Sequence, residues 1–208
     1  MKYRVLLFCL GVLGMGAQAQ AFGTTLRAAA GSGSFELDED AGMDAEGDLS
    51  SADFRAAFQV NEHVFLRGQY MHSSGDEVEI DDVEYDADID WNTMRLGAGY
   101  GGKLGAIRLY GVAEYIDLDF KVDGETDGGN GWGVTIGIGD QGSTKLLWSA
   151  ELSVLDVEGT SGMSIDSSIG YRITPLFGVL IGAQSYTFEE HSDELSLFNL
   201  YLGLQLAF

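Results

Sequence analysis

One pattern governs what this chain can fold into. Beyond residue 22, polar and apolar residues alternate with a period of two, segment after segment. No apolar stretch there approaches the ~20 residues of a membrane-spanning helix. The last segment is the clearest: Phe198, Leu200, Leu202, Leu204, Leu206 and Phe208 fall on one face, and Asn199, Tyr201, Gly203, Gln205 and Ala207 on the other. Met163, Ile165, Ile169 and Tyr171 oppose Ser164, Asp166, Ser168 and Gly170, and Trp132, Val134, Ile136 and Ile138 oppose glycines and Thr135. Fainter versions run through 54–60, 94–100, 107–115 and 146–154. With 22–36, 64–74 and 177–188 the count is ten strands, and eight if the two weakest segments are discarded.

The connections are of two kinds, in alternation. Short turns fall at Asn61-Glu62-His63, 101–105, 140–143 and Thr174-Pro175-Leu176, where the only proline removes no ladder donor. Longer acidic connections fall near 37–48, 75–90, 117–130, 156–162 and 189–194, and they hold 26 of the 33 acidic residues. Short turns at one end and long loops at the other are the arrangement of an up-and-down transmembrane β-barrel.

A water-soluble barrel alternates as well, so alternation alone does not choose between the two. Volume does. Placing four or five large apolar residues per strand inside so narrow a barrel would overfill it. The opposite face, rich in Gly, Ser, Ala and Thr with isolated charges, suits a cramped interior, so the apolar face is expected outward. Phe198 to Phe208 spans about 25 Å at ~3.4 Å per residue and 40–45° of tilt, the height of an outer-membrane apolar band. Tyr70, Tyr115 and Trp132 on the loop side, and Phe58, Tyr100, Tyr171 and Phe177 on the turn side, extend two aromatic girdles. The fold class read from these patterns is all-β, a transmembrane antiparallel barrel.

The first 21 residues read as a cleaved secretory signal: Lys2 and Arg4, an apolar core from Val5 to Gly16, then Ala17-Gln18-Ala19 and Ala19-Gln20-Ala21 as small-x-small sites. The barrel domain then occupies 22–208. The single cysteine, Cys9, lies in that signal and follows Phe8 instead of a small residue, so neither a lipoprotein nor disulfides are expected. With 11 basic against 33 acidic residues the chain carries −22, which excludes nucleic acid as a partner.

The end of the chain, Tyr201-Leu-Gly203-Leu-Gln-Leu206-Ala-Phe208, resembles the C-terminal signal of bacterial outer-membrane barrels. The whole of 22–208 resembles the small OmpA/OmpX-like outer-membrane barrel family. That resemblance implies insertion by the barrel assembly machinery, with Tyr201, Gly203, Leu206 and Phe208 as the recognised residues. It also implies residence in the cell outer membrane among its lipids and lipopolysaccharide.

The inward faces are expected to hold Arg27, Arg55, Arg67, Arg95, Arg108, Lys145 and Arg172 together with Asp53, Glu114, Glu151 and Asp166. Charges in a narrow lumen must be paired or hydrated. Either they form an ion-pair plug, or they line a path for small polar or anionic solutes. The acidic connections suit weak divalent-cation contacts, because carboxylates bind hard cations. However, Asp86-Ala-Asp88-Ile-Asp90 lacks the glycine and terminal glutamate of an EF-hand, and no cofactor or metal site is expected. Enzymatic candidates are confined to His72, with Ser73 and Ser74, and His191, with Ser192. On a strand, adjacent His191 and Ser192 would face opposite ways. The sequence therefore favours a non-enzymatic barrel with a structural or surface-interaction role, then a narrow channel, then a lipid-modifying enzyme.

Overall fold

In the computed structural model, which describes residues 23–38, 44–80, 83–123, 125–140, 145–190 and 193–208, the alternating segments are ten antiparallel strands. They are β1 (Thr24–Asp38), β2 (Asp44–Gln59), β3 (Val64–Ile80), β4 (Val83–Leu104), β5 (Ile107–Val122), β6 (Glu125–Asp140), β7 (Leu146–Val157), β8 (Thr160–Arg172), β9 (Phe177–Glu190) and β10 (Asp193–Ala207). Neighbours in sequence pair in space, and β1 pairs with β10, so the sheet closes with no free edge. Ten strands, not eight, make the barrel. Residues 1–21, read above as a signal, lie outside the described residues.

Closure follows from the stagger of the strands. Cross-strand partners traced once around the wall run from Leu206 through Leu26, Ala56, Gly68, Leu96, Tyr115, Trp132, Asp156, Ser161 and Glu189 to Glu194. That is a return 12 residues back along β10 (206 − 194). Twelve residues at ~3.3 Å against ten strands ~4.8 Å apart tilt the strands by about 40°. The seam is sealed at the chain's end, where the Phe208 amide donates to the Thr24 carbonyl (2.8 Å) and the Thr24 amide to the Phe208 carbonyl (3.1 Å).

The wall has two zones with opposite polarity, and β4 shows both. In its lower part Tyr100, Ala98, Leu96 and Met94 point outward, while Gly101, Gly99, Gly97 and Arg95 point inward. Above Asn92 the faces exchange character: Asp90 and Asp88 are outside, and Trp91, Ile89 and Ala87 are buried inside. Strand β5 inverts at the same level, with Tyr115 outside followed by Asp117 and Asp119, and with Ile116 and Leu118 buried inside. The inversion coincides with the upper girdle, where Tyr115 and Trp132 meet edge to face at 5.8 Å. Below it the large exposed outer residues are Leu, Ile, Val, Met and aromatics, as a hydrocarbon solvent requires. Above it the barrel is built like a water-soluble one.

This second zone corrects one expectation. The acidic stretches near 37–48, 75–90 and 117–130, read above as long loops, are largely strand: β3 runs to Ile80 and β4 begins at Val83. Their high charge suggests loops because the alternation persists with its polarity reversed. The β7–β8 turn at this end, described throughout, is tight. Glu158 and Gly159 join β7 to β8, both with positive φ (51° and 92°), which matches the twist of a two-residue hairpin. At the opposite end the Asn61 side chain caps the β2–β3 turn, accepting from the His63 and Val64 amides at 2.9 Å.

Candidate functional site

Among the described residues the chemistry of the interior is concentrated in the lumen, whose side chains sort into an apolar layer, an ionic layer and a turn-end group. The uppermost is apolar. Phe35, Leu49, Met71, Ile89, Trp91, Ile116, Leu155, Tyr186, Phe188 and Leu197 form one buried cluster in the inverted zone. The Trp91 ring packs against Phe120, Phe188 and Tyr186 at centroid distances of 5.6, 6.1 and 6.4 Å. Its indole N–H donates to the Thr93 hydroxyl at 2.8 Å, so the single polar atom of that ring is satisfied where the apolar layer ends.

The middle layer is ionic and forms two linked groups. In one, the Arg55 guanidinium contacts Asp53 at 2.6 Å and Asp166 at 2.7 Å, and the Gln69 amide adds a bond to Asp53 at 3.0 Å. The Tyr201 hydroxyl donates to Asp166 (3.1 Å) and accepts from Arg27 (2.6 Å). In the other group, Glu114 receives Arg95 at 2.5 Å and Arg67 at 2.9 Å. Arg67 also reaches Glu151 at 2.8 Å, and Glu151 accepts from the Tyr110 hydroxyl at 2.5 Å. Thr135, Ser153 and Ser164 take further Arg95 donors. Gln184 and Tyr186 join the groups: Arg55 donates to Gln184 (3.3 Å), Gln184 to Tyr186 (2.9 Å), and Arg95 to Tyr186 (3.4 Å).

These bonds cross the barrel. Arg55 on β2 meets Asp166 on β8, Arg67 on β3 meets Glu151 on β7, and Arg95 on β4 meets Tyr186 on β9, pairs four or five strands apart around a ten-stranded wall. Four guanidinium groups face four carboxylates, so the layer is neutral. Small inward residues make this possible. A Cβ on Gly137 would lie 2.3 Å from the Tyr110 ring, and one on Gly182 would lie 2.3 Å from the Tyr201 ring, so each glycine leaves the space that its aromatic neighbour occupies.

The structure therefore brings Arg27, Asp53, Arg55, Arg67, Arg95, Glu114, Glu151 and Asp166 into one network and leaves three residues of the expected set outside it. Arg108 lies at the turn end, its guanidinium 4.7 Å above the Phe65 ring and 5.9 Å from that of Tyr110. Arg172 contacts Asp140 at 3.7 Å. Lys145 is a correction: it is exposed and precedes β7 instead of lining the lumen, because inward parity carries a side chain into the lumen only where the strand wall has begun. Gln69, Tyr110, Gln184 and Tyr186 belong to the network without having been expected there. Their inward parity was available, and only their uncharged side chains kept them from notice.

At the chain's end, Tyr201 and Gly203 face inward and Leu206 and Phe208 outward. On the outer wall His72 bonds the Asn92 side chain at 2.9 Å, Ser73 is buried on the opposite face, and His191 and Ser192 lie outside the described residues. A shallow hollow of about 420 Å³ opens where β3 changes register at Gly75, lined by Ser50, Ser74, Asp76, Asp88 and Asp90. Among the described residues no three acidic or histidine side chains converge to hold a metal ion.

A profile described as the outer membrane protein beta-barrel domain matches residues 5–144. No curated protein sequence matches the chain. Among solved structures it is similar to the outer membrane protease OmpT of Escherichia coli (TM-score 0.52, 10% identity, covering 92% of this chain and 98% of that one). It is also similar to an outer membrane channel of Pseudomonas putida F1 (TM-score 0.50, 11% identity, 89% and 96%) and to Neisserial surface protein A (TM-score 0.43, 12% identity, 91% and 98%). At such identities the likeness is one of fold, and it spans a protease and a channel alike.

Proposed function

We propose, from the premise that this chain belongs to the outer membrane protein beta-barrel domain family and so resides in the cell outer membrane, that it is a closed, non-enzymatic barrel. Its role in this reading is to stabilise the envelope and present an acidic wall to the outside. One observation carries the reading: an ionic layer and an apolar layer lie in series across the same lumen. Either would hinder an ion, and in this reading the two together block a hydrated path. Breaking the ionic layer would strand buried charges, and breaking the apolar one would require wetting Trp91 and its neighbours.

Planar-bilayer recording of the refolded barrel tests this directly. Silence at applied voltages of both signs is the expected result, and steady single-channel steps would favour a channel for small polar or anionic solutes. Catalysis is tested separately, by comparing lipid A from cells with and without the protein. Identical lipid A is expected, and a modification lost with His72→Ala or His191→Ala would overturn the non-enzymatic reading.

A further inference from the structure

The turn end of the barrel, the periplasmic side in outer-membrane barrels, carries a charge of opposite sign to the rest of the molecule. Although the chain is −22 overall, Lys103, Arg108, Lys145 and Arg172 gather at the turn end, where the acidic residues of the described turns and strand ends are Glu62 and Asp140. Residues 141–144 read Gln-Gly-Ser-Thr in the sequence and add no charge. Asp140 is engaged by Arg172 at 3.7 Å. The four lumen carboxylates are already matched by the four arginines above them.

Two features single out Arg108 within this group. It stands directly opposite Lys103 across the β4–β5 pair, and side chains so placed share a face with Cβ atoms ~5 Å apart, where like charges repel. In addition, its Nη2 is buried without a hydrogen-bond partner, a condition that buried guanidinium nitrogens seldom tolerate. The Phe65 and Tyr110 rings hold the guanidinium plane in place but supply no negative charge. The residue as a whole is only partly buried and lies one position inside the end of β5, so it sits at the mouth.

We propose that this mouth is an oxyanion site in which Arg108 and Lys103 together bind a phosphate-type group. A fork of guanidinium donors suits two oxygens of one phosphate, while the lysine ammonium neutralises it as a point charge. One anion between the two would remove their repulsion, and a small turn of the guanidinium would bring the orphaned donor onto it. The site lies level with Tyr100 and Leu104, both exposed on the outer face at the edge of the apolar band, so the phosphate is either that of an inner-leaflet lipid headgroup or that of a soluble phosphate ester. The inference goes beyond the closed-barrel reading and does not depend on whether the lumen conducts.

The test uses the mature barrel refolded in neutral detergent and two probes. Inorganic phosphate is titrated by calorimetry. Retention of lipid is followed by native mass spectrometry after release from phosphatidylcholine nanodiscs with and without phosphatidylglycerol. Phosphate binding with selective retention of one phosphatidylglycerol assigns a headgroup, and phosphate binding without lipid selectivity assigns a soluble ester; both support the site. Arg108→Gln is expected to weaken binding about tenfold or more, and Arg108→Lys much less, since the charge remains. Folding of each variant is checked by its heat-dependent gel shift. If Arg108→Gln does not fold, Lys103→Gln carries the test, with a several-fold loss expected. Absence of binding by both probes, or binding unchanged in folded Arg108→Gln or Lys103→Gln protein, would overturn the proposal.

Discussion

At the scale of single residues, Glu114 is the group on which most of the lumen converges. It receives two guanidinium groups and the Thr135 hydroxyl while itself almost fully buried. Glu114→Gln keeps the shape but removes the charge, leaving Arg67 with Glu151 as its only carboxylate and Arg95 with only neutral partners. The expected loss is about 3–5 kcal/mol of unfolding free energy, read from urea titration in detergent. Glu62→Gln, in an exposed turn, should change the same measurement by less than about 0.5 kcal/mol. The individual charges were legible in the sequence from parity alone. Their partners were not: that Arg55 meets Asp166 depends on the number of strands and the 12-residue stagger, quantities belonging to the closed wall and to no local segment.

At the scale of elements, the upper girdle divides each long strand into a part solvated by lipid and a part solvated by water. Ile136 lies on the outer face of β6 well below Trp132, so Ile136→Arg should cost about 2–4 kcal/mol by placing a guanidinium deep in hydrocarbon. Asp88→Arg, on the outer face of β4 above the girdle, should stay within about 0.5 kcal/mol. Trp91→Ala, inside that upper zone, should cost about 3–5 kcal/mol because it opens a cavity in a packed layer. Comparing the three by denaturant unfolding tests the inversion as such, since the order of the first two would reverse if the lipid boundary were misplaced. The hairpin of β3 and β4 shows why the sequence understated these strands. Asp86, Asp88 and Asp90 announce a loop by composition, yet Ala87, Ile89 and Trp91 between them keep the period of two. Reading strands only where the apolar face points outward stops at the membrane boundary.

At the scale of the whole molecule, charge is segregated along the barrel axis. Of the lysines in the described residues, Lys121 alone lies in the acidic upper zone, beside Val122 at the end of β5, whereas Lys103 and Lys145 lie at the turn end. A membrane-impermeant amine reagent applied to intact cells should therefore label Lys121, and labelling of Lys103 and Lys145 should appear only once the envelope is opened. Peptide mapping that found the reverse would invert the orientation of the barrel.

The reversal of polarity also bears on how permanently the protein is seated. The upper zone wears its carboxylates on the outside, so sliding back would drag them one after another through hydrocarbon, at a cost for each approaching the roughly 2–4 kcal/mol of a basic residue at the midplane. Flipping over is opposed by the same toll. Like a rivet whose head is formed after it has passed through the plate, the barrel is fastened by the shape of its charge, and its escape from the bilayer is blocked even where the lipid-facing band alone would tolerate some vertical drift.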